Sequence, residues 1–193
     1  MRFFTAIVIV VLSALSGCAS VAKVETGDRV VGERMTVKLE GAWNHVDAPG
    51  MGPGQTWTME GLALDQLLLY SGIKDGQRIH AAAPGGSNAK EYSFRSSMQS
   101  EEIVAMFEGM LTRDGSTFKL AKLEPTNFGG LKGLHFEFSS TRKVDGVQLS
   151  GFGYSAVSKG ELFAILYIAP RLTFYPRYAP RADQISRSAR VKE

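Results

Sequence analysis

Alternating apolar and polar positions predict several half-buried strands along this chain. A period of two residues is typical of a strand with one face in the core and the other toward water. The strand-like runs are residues 35–40, 56–58, 118–123, 131–140 and 147–157. Residues 162–169 are instead apolar on both faces. That pattern predicts a central strand that is covered on both sides.

Two segments show helical patterns instead. Residues 100–111 place apolar side chains on one broad face, and the two glutamates after Ser100 complement the positive end of a helix dipole. Ser100 is the expected N-cap, since its hydroxyl can accept from an unpaired backbone N–H. A second helix is predicted from about residue 175 to 190, with Pro176 in its first turn; Pro180 would kink it or delay its start.

The order of these elements predicts the fold class. Residues 62–70 fit either a strand or a short helix, and a strand is favoured; Asp145 and Gly146 form a typical hairpin turn. The connections between strands are too short for crossovers, which indicates a mainly antiparallel sheet. We therefore predict one α+β domain, with an internal and a C-terminal helix packed on the sheet.

The N-terminus has the form of a signal peptide. Arg2 precedes an uncharged, largely apolar stretch at residues 3–15, and small residues follow up to Cys18. A helix that spans a bilayer needs about 20 apolar residues, so a permanent membrane helix is the weaker interpretation. We predict a signal peptide at residues 1–17, a lipidated N-terminus and tether at residues 18–28, and the domain at residues 29–193.

The residues Leu15, Ser16, Gly17 and Cys18 resemble the bacterial lipobox. That resemblance implies cleavage before Cys18, a diacylglycerol on its sulfur, and a further fatty chain, such as palmitate, on its amine. Cys18 is the only cysteine, so no disulfide is expected and lipidation would remove a free thiol. The alternative is an ordinary signal cleavage at another bond, with Cys18 incidental.

The residues after Cys18 bear on where the protein is sorted. They are alanine and serine rather than aspartate, which resembles the enterobacterial pattern for the outer membrane. We therefore expect a lipid-anchored protein of the bacterial cell envelope, at the outer membrane and facing the periplasm.

The charge balance limits the partners that we expect. The chain has 22 Lys+Arg against 19 Asp+Glu, a net charge of +3, and this near-neutral total together with export argues against nucleic acid. Residues 171–193 are locally basic, with Arg171, Arg177, Arg181, Arg187, Arg190 and Lys192. This end would meet anionic headgroups, or it is simply a solvated helix face.

Landmarks along the whole domain resemble a group of uncharacterised proteobacterial lipoproteins. They are the lipobox, Trp57-Thr58, Glu60-Gly61, Leu64-Asp65, Gly72-Ile73, Asp75-Gly76, Asp145-Gly146 and the segments 98–103, 128–136, 162–170 and 185–189. The expected topology is also similar to the PsbP-like α/β/α sandwich. The resemblance implies an envelope lipoprotein, and it supplies no catalytic residue or cofactor.

Three histidines are the candidates for acid-base or metal chemistry. His135 and Glu137 share one face of a predicted strand and would give two metal ligands, or they pair with neighbouring strands. His45 and Asp47 would form a base and its orienting partner, but no serine lies in a nucleophile elbow. His80 has no such neighbour in the sequence.

Glycine-rich and aromatic segments give weaker signals. Gly50, Gly52 and Gly54 lack the lysine and hydroxyl that end a phosphate loop, and residues 84–87 also read as a loop. Several aromatic residues would either line a groove for a ligand or pack in the core. They are Trp43, Trp57, Phe174, Tyr175 and Tyr178.

The sequence thus predicts a location in the cell but no catalytic site. Our leading hypothesis is a noncatalytic, lipid-anchored envelope protein that binds a protein partner or an apolar ligand, with no cofactor. One alternative is an envelope hydrolase or metal-dependent enzyme that uses His45, Asp47, His135 or Glu137. The other is a structural lipoprotein for envelope integrity.

Overall fold

An eight-stranded antiparallel sheet forms the centre of the structure. The computed structural model describes residues 19–48, 51–80 and 92–192. The elements are β1 (Ser20–Val24), β2 (Gly27–Val31), β3 (Met35–Leu39), β4 (Trp43–Asp47), β5 (Gln55–Thr58), β6 (Gln66–Ile73), α1 (Ser100–Thr112), β7 (Lys119–Phe128), β8 (Leu131–Thr141), β9 (Gln148–Ser158), β10 (Glu161–Pro170), α2 (Phe174–Arg187) and β11 (Arg190–Val191). The strand order in the central sheet is β1-β4-β5-β6-β10-β9-β8-β7.

The two faces of this sheet are covered by different elements. Helix α2 and a small sheet of β11, β3 and β2 pack on one face, where Trp43, Trp57 and Tyr167 are fully buried. Helix α1 packs on the other face, where Phe107 contacts the rings of Tyr70 and Phe136. The structure therefore confirms the α+β fold that the element order predicts.

Strand β10 lies between β6 and β9 and is the buried strand that its apolar sequence predicts. The eight residues from Leu162 to Ala169 are all buried. Those of one face contribute to the core under α2, and those of the other to the core under α1. Strand β10 therefore contributes side chains to both cores.

The N-cap of helix α1 lies one residue before the expected cap. Its N-cap is Gln99 rather than Ser100, and the backbone N–H of Gln99 donates to Glu102 Oε2 at 2.8 Å. Such a bond to the third residue of the helix satisfies one group at the helix end. The sequence prediction of Ser100 as the cap is therefore wrong by one position.

Helix α2 passes through Pro180 and ends at Arg187, three residues before the predicted end. Pro180 is exposed and lies inside the helix, so it neither delays the start nor ends the helix. The chain leaves the helix because the residues that follow pair with β3, with Arg190 opposite Thr36 and Val191 opposite Met35.

The segment predicted as a tether contains strands. Strand β1 pairs with β4, with Ser20 opposite Asp47, and β2 begins at Gly27. Strand β1 lies at the sheet edge and is exposed along most of its length, so no burial pattern marks it in the sequence. The predicted signal peptide and Cys18 lie outside the described residues.

Strand β6 begins only at Gln66, because residues 62–64 form a turn. The prediction of a strand over residues 62–70 is thus correct for residues 66–70. The predicted hairpin turn at Asp145 and Gly146 is confirmed, since the backbone N–H of Arg142 donates to the carbonyl of Val147 at 2.9 Å.

Glycine at position 153 permits a close approach between β9 and an aromatic ring. Gly153 lies opposite Phe136 of β8, and a Cβ atom there would overlap that ring. We expect Gly153→Ala to lower the free energy of unfolding by about 2 kcal/mol, because a packed core does not absorb an extra methyl group without strain. Urea unfolding would measure this, with Ser150→Ala on the same strand as the control; equal midpoints for the two variants would contradict it.

Candidate functional site

A cavity of about 260 Å³ lies on the α1 side of the central sheet. The cavity lies at one end of the sheet, next to the last turn of α1. The first residues of β6 and β9 and the last residues of β8 and β10 also line it. Its inner wall is apolar and consists of Leu68, Tyr70, Met110, Leu149 and Ile168. Apolar walls with a few polar groups are typical of ligand sites, so this cavity is the candidate functional site.

One polar group of the inner wall has only a weak partner. The hydroxyl of Tyr70 donates to Met110 Sδ at 3.3 Å, and a thioether is a weak acceptor. Burial raises the pKa of Tyr70, although the positive charge of Arg113 acts in the opposite direction. The phenol therefore stays neutral and can donate to a stronger acceptor that enters the cavity.

The turn beside the cavity is held by the buried carboxylate of Asp65. This carboxylate accepts from the Thr58 hydroxyl and from the backbone N–H groups of Met59 and Glu60, each at 2.8 Å. The Thr58 hydroxyl accepts in turn from the backbone N–H of Gly61 at 2.8 Å. Asp65 is thus saturated with hydrogen bonds and fixes the segment that forms one side of the cavity.

Arg142 connects this turn to the β8–β9 hairpin across the cavity mouth. Its Nη1 donates to the carbonyl of Ala63 at 2.6 Å, and its Nε and Nη2 donate to the Asp145 carboxylate at 3.0 and 2.7 Å. The Arg142 guanidinium lowers the pKa of Asp145. Because all its donor atoms are engaged, Arg142 shapes the mouth rather than offering a free charge.

His80 lies at the cavity and contacts a cation. Arg113, which follows the last residue of α1, approaches His80 Nδ1 with its Nη1 at 2.7 Å. A guanidinium can only donate, so Nδ1 of His80 is the acceptor. Sequence reasoning left His80 without neighbours, whereas the structure places it beside the site.

The other candidate histidines do not come together. His45 on β4 and His135 on β8 are separated by four strands, roughly 24 Å at about 4.8 Å per strand. Both face α2, since His45 is opposite Trp57 and His135 lies against Tyr154, whereas His80 is on the α1 side. The structure therefore does not assemble these three histidines into one site.

His135 and Glu137 pair across strands. His135 Nδ1 lies 3.1 Å from Glu124 Oε1 on β7, and Glu124 also pairs with Lys122 at 2.9 Å. Hydrogen bonds from Lys122 and then His135 lower the pKa of Glu124. Glu137 is directly opposite Lys122. Cross-strand pairing, the alternative to a pair of metal ligands, is the arrangement observed.

Of the candidate glycine loops and aromatic residues, those that the structure describes take part in packing. Gly54 packs against the ring of Tyr70, while Gly50 and residues 84–87 lie outside the described part of the chain. The candidate aromatic residues belong to or pack against the core under α2: Trp43, Trp57, Phe174, Tyr175 and Tyr178. They form core packing rather than an aromatic groove.

The basic C-terminal residues differ in their partners. Arg177 pairs with Glu60 at 3.4 Å, and Arg187 pairs with Asp183 at 2.6 Å. Arg171 follows β10 and forms no ion pair with a described residue. The predicted basic face is thus partly neutralised along α2 but not at the end of β10.

The described residues contain neither a cluster of metal ligands nor a membrane-spanning helix. No group of three or more His, Cys, Asp or Glu side chains is arranged to hold a metal ion within them. Neither of the helices in these ranges is long and apolar enough to cross a membrane.

The architecture is a PsbP-like fold, as the sequence resemblance implies. The solution structure of the cyanobacterial PsbP protein CyanoP from Synechocystis matches with a TM-score of 0.54 at 12% identity, over 92% of this chain and 95% of that chain. The crystal structure of LpqN, involved in cell envelope biogenesis of Mycobacterium tuberculosis, matches with a TM-score of 0.38 at 11% identity, over 94% and 88%. No family model and no curated protein matches this chain.

Sequence reasoning missed the cavity because several separate segments of the chain form it. Thr56, Asp65, Met110, Arg142 and Ile168 each contribute, and none is adjacent to another in the sequence. The one local signal was the Glu60-Gly61 turn followed by Leu64-Asp65, which the resemblance singled out without assigning a role.

Proposed function

We propose that this protein is a lipid-anchored, noncatalytic binding protein of the bacterial cell envelope. Its anchor is Cys18, and its binding site is the cavity beside the C-terminal end of α1. The observation that supports binding most is the apolar inner wall of this cavity, with the weakly engaged Tyr70 hydroxyl within it. The lipobox-like sequence supports the anchor and the location.

The cavity volume limits what can occupy it. A volume of about 260 Å³ lies just below the range of roughly 300 to 1,000 Å³ that is usual for small-molecule sites. One apolar side chain or one short hydrocarbon group fits, and a complete membrane lipid does not. We therefore favour an apolar group of a protein partner over a whole lipid.

The anchor would hold the domain close to the bilayer. Strand β1 starts at Ser20, and two extended residues span at most about 7 Å. In this proposal a lipidated Cys18 therefore places the edge of the central sheet near the headgroups, with no long tether between them. The outer membrane and the periplasmic side remain the proposed location on the basis of the residues that follow Cys18.

Closing the cavity mouth tests the binding proposal. Ala63 is exposed and lines the cavity, so Ala63→Trp is expected to block it without disturbing the core. The apolar dye 1-anilinonaphthalene-8-sulfonate would serve as the probe, with the full chain in detergent. We expect the variant to bind the dye about tenfold more weakly or worse, since a loss of about 1.4 kcal/mol gives tenfold.

The matched control is Ala121→Trp, which adds the same side chain at an exposed position of β7. This variant should bind the dye as the unaltered chain does. Cooperative unfolding of both variants would show that each is folded. Equal dye binding by both variants would remove the cavity as the binding site.

A further inference from the structure

The end of the sheet next to the cavity carries an excess of basic side chains. We define the basic rim as Arg113, Lys119, Lys143, Val144, Arg171 and Leu172. None of its four cations forms an ion pair with a described residue. Two exposed carboxylates lie close by: Asp114, which accepts from the backbone N–H of Ser116 at 2.9 Å, and Asp145, which is paired with Arg142. The rim is therefore positively charged overall.

A second depression lies at the same end of the sheet as the cavity, on the side that faces α2, because Lys119 is opposite Ser139 and Ser139 alternates with Phe138 of the α1 side. It has a volume of about 210 Å³ and shares Ser140 and Leu149 with the cavity. Lys119 and Arg171 line it together with the hydroxyl-bearing Thr117 and Ser139. Cations and hydroxyl donors suit carboxylate groups. An apolar cavity and a groove that suits acidic groups thus lie at the same end of the sheet, and a partner segment would reach both by crossing the end of β8 and β9.

The rim also exposes large apolar side chains. Val144 in the β8–β9 hairpin and Leu172 after β10 are each 83% exposed. Among the described residues these are the two most exposed large hydrophobic side chains. Exposed apolar residues next to a charged groove are typical of protein interaction surfaces.

The direction of the strands places the rim away from the proposed anchor. Each neighbouring pair from β1 through β4, β5 and β6 to β10 is antiparallel, so β1 runs in the same direction as β10. Strand β10 ends at the rim, so β1 also runs toward that end of the sheet, and Cys18 precedes β1. A partner would therefore reach the rim from the aqueous side.

We infer that the basic rim and the cavity together bind an acidic segment of a partner protein, with one bulky apolar side chain in the cavity. This inference rests on the proposed function, because it uses the same cavity. The carboxylates of the segment would lie along the groove beside Lys119 and Arg171. The volume of the cavity and the position of the rim favour a protein segment over the headgroup of an anionic lipid.

A labelled peptide would test the inference on the full chain in detergent. The probe is a short synthetic peptide with one tryptophan between glutamates, and its binding is followed by fluorescence anisotropy. The double variant K119E/R171E is expected to bind it about tenfold more weakly or worse, because charge reversal at a rim replaces attraction by repulsion. The control K38E/K132E makes the same charge change at exposed sites outside the rim and should bind as the unaltered chain does.

Altered probes separate the two features of the inferred segment. Replacement of the tryptophan by alanine, or of the glutamates by lysines, should each weaken binding. Equal binding of the lysine peptide would overturn the inference, as would K119E/R171E binding the acidic peptide as tightly as K38E/K132E does. Direct binding of phosphatidylglycerol in mixed detergent micelles that is tighter than binding of the peptide and is lost in K119E/R171E would also overturn it, in favour of a lipid occupant.

These results are distinguishable from failure of the proposed function. If A63W loses dye binding while K119E/R171E keeps its affinity for the acidic peptide, the cavity proposal stands and the acidic segment is rejected. If A63W retains both dye and peptide binding, the cavity proposal itself fails, and the inference fails with it.

Discussion

Replacing Cys18 by serine is expected to remove the fatty chains, so that molecules that still lose residues 1–17 move from the membrane fraction to the soluble fraction of the native host. In the proposal, two or three acyl chains on Cys18 anchor the protein, and one chain alone gives only marginal attachment. A serine hydroxyl does not replace the thioether that carries the diacylglycerol. Molecules of the variant that keep residues 1–17 also keep the apolar stretch at residues 3–15 and are expected to stay in the membrane fraction, with a mass larger by that segment.

Fractionation with and without high salt would measure this loss, and mass spectrometry of the unaltered protein would identify the modification on residue 18. The control is Ser16→Ala, which keeps a small residue before Cys18 and should stay in membranes. An unmodified sulfur in protein from the native host would contradict the anchor. So would a Cys18→Ser variant that lacks residues 1–17 and still remains in membranes after a high-salt wash.

The strands with strong patterns were predictable because burial in this sheet follows local periodicity. Strands β3 and β8 lie where the alternation of apolar and polar residues places them, and β10 lies where both faces are apolar. Each of these strands packs directly on a core. Burial of one face gives alternating apolar residues and burial of both faces gives a continuous apolar run, and both patterns can be recognised from neighbouring residues alone.

The edge strand β1 was not predictable for the same reason. Its residues are mostly exposed, and its pairing with β4 depends on backbone hydrogen bonds to residues 19 to 27 positions away. Backbone pairing has no residue pattern of its own. The segment therefore resembles a tether in the sequence although it belongs to the sheet.

The candidate site depends still more on topology. The sequence singled out His45, His135 and Glu137 for their chemistry, but the strand order separates the histidines and pairs Glu137 with Lys122. The cavity instead depends on Asp65, an acidic residue within an otherwise apolar segment. Its three hydrogen bonds to neighbouring residues could be found only once the turn before β6 was known.

Asp65→Ala is accordingly expected to be the most destabilising substitution near the cavity. It would leave the Thr58 hydroxyl and the N–H groups of Met59 and Glu60 without their acceptor, and Asp65 is only 1% exposed. Unsatisfied buried donors cost about 1 to 3 kcal/mol each, but relaxation of the turn recovers part of this. We expect a loss of about 3 kcal/mol and a melting temperature lower by about 6 to 12 °C.

Tryptophan fluorescence during urea unfolding would measure the change, because Trp43 and Trp57 are both buried. Asp28→Ala removes an exposed carboxylate on β2 and should change the stability by less than about 0.5 kcal/mol. Asp65→Asn should lie between the two, since its amide keeps one acceptor oxygen for donors that now compete for it. If Asp65→Ala unfolds at the same urea concentration as Asp28→Ala, the hydrogen bonds of Asp65 do not hold the turn, and this account of how the cavity is built is wrong.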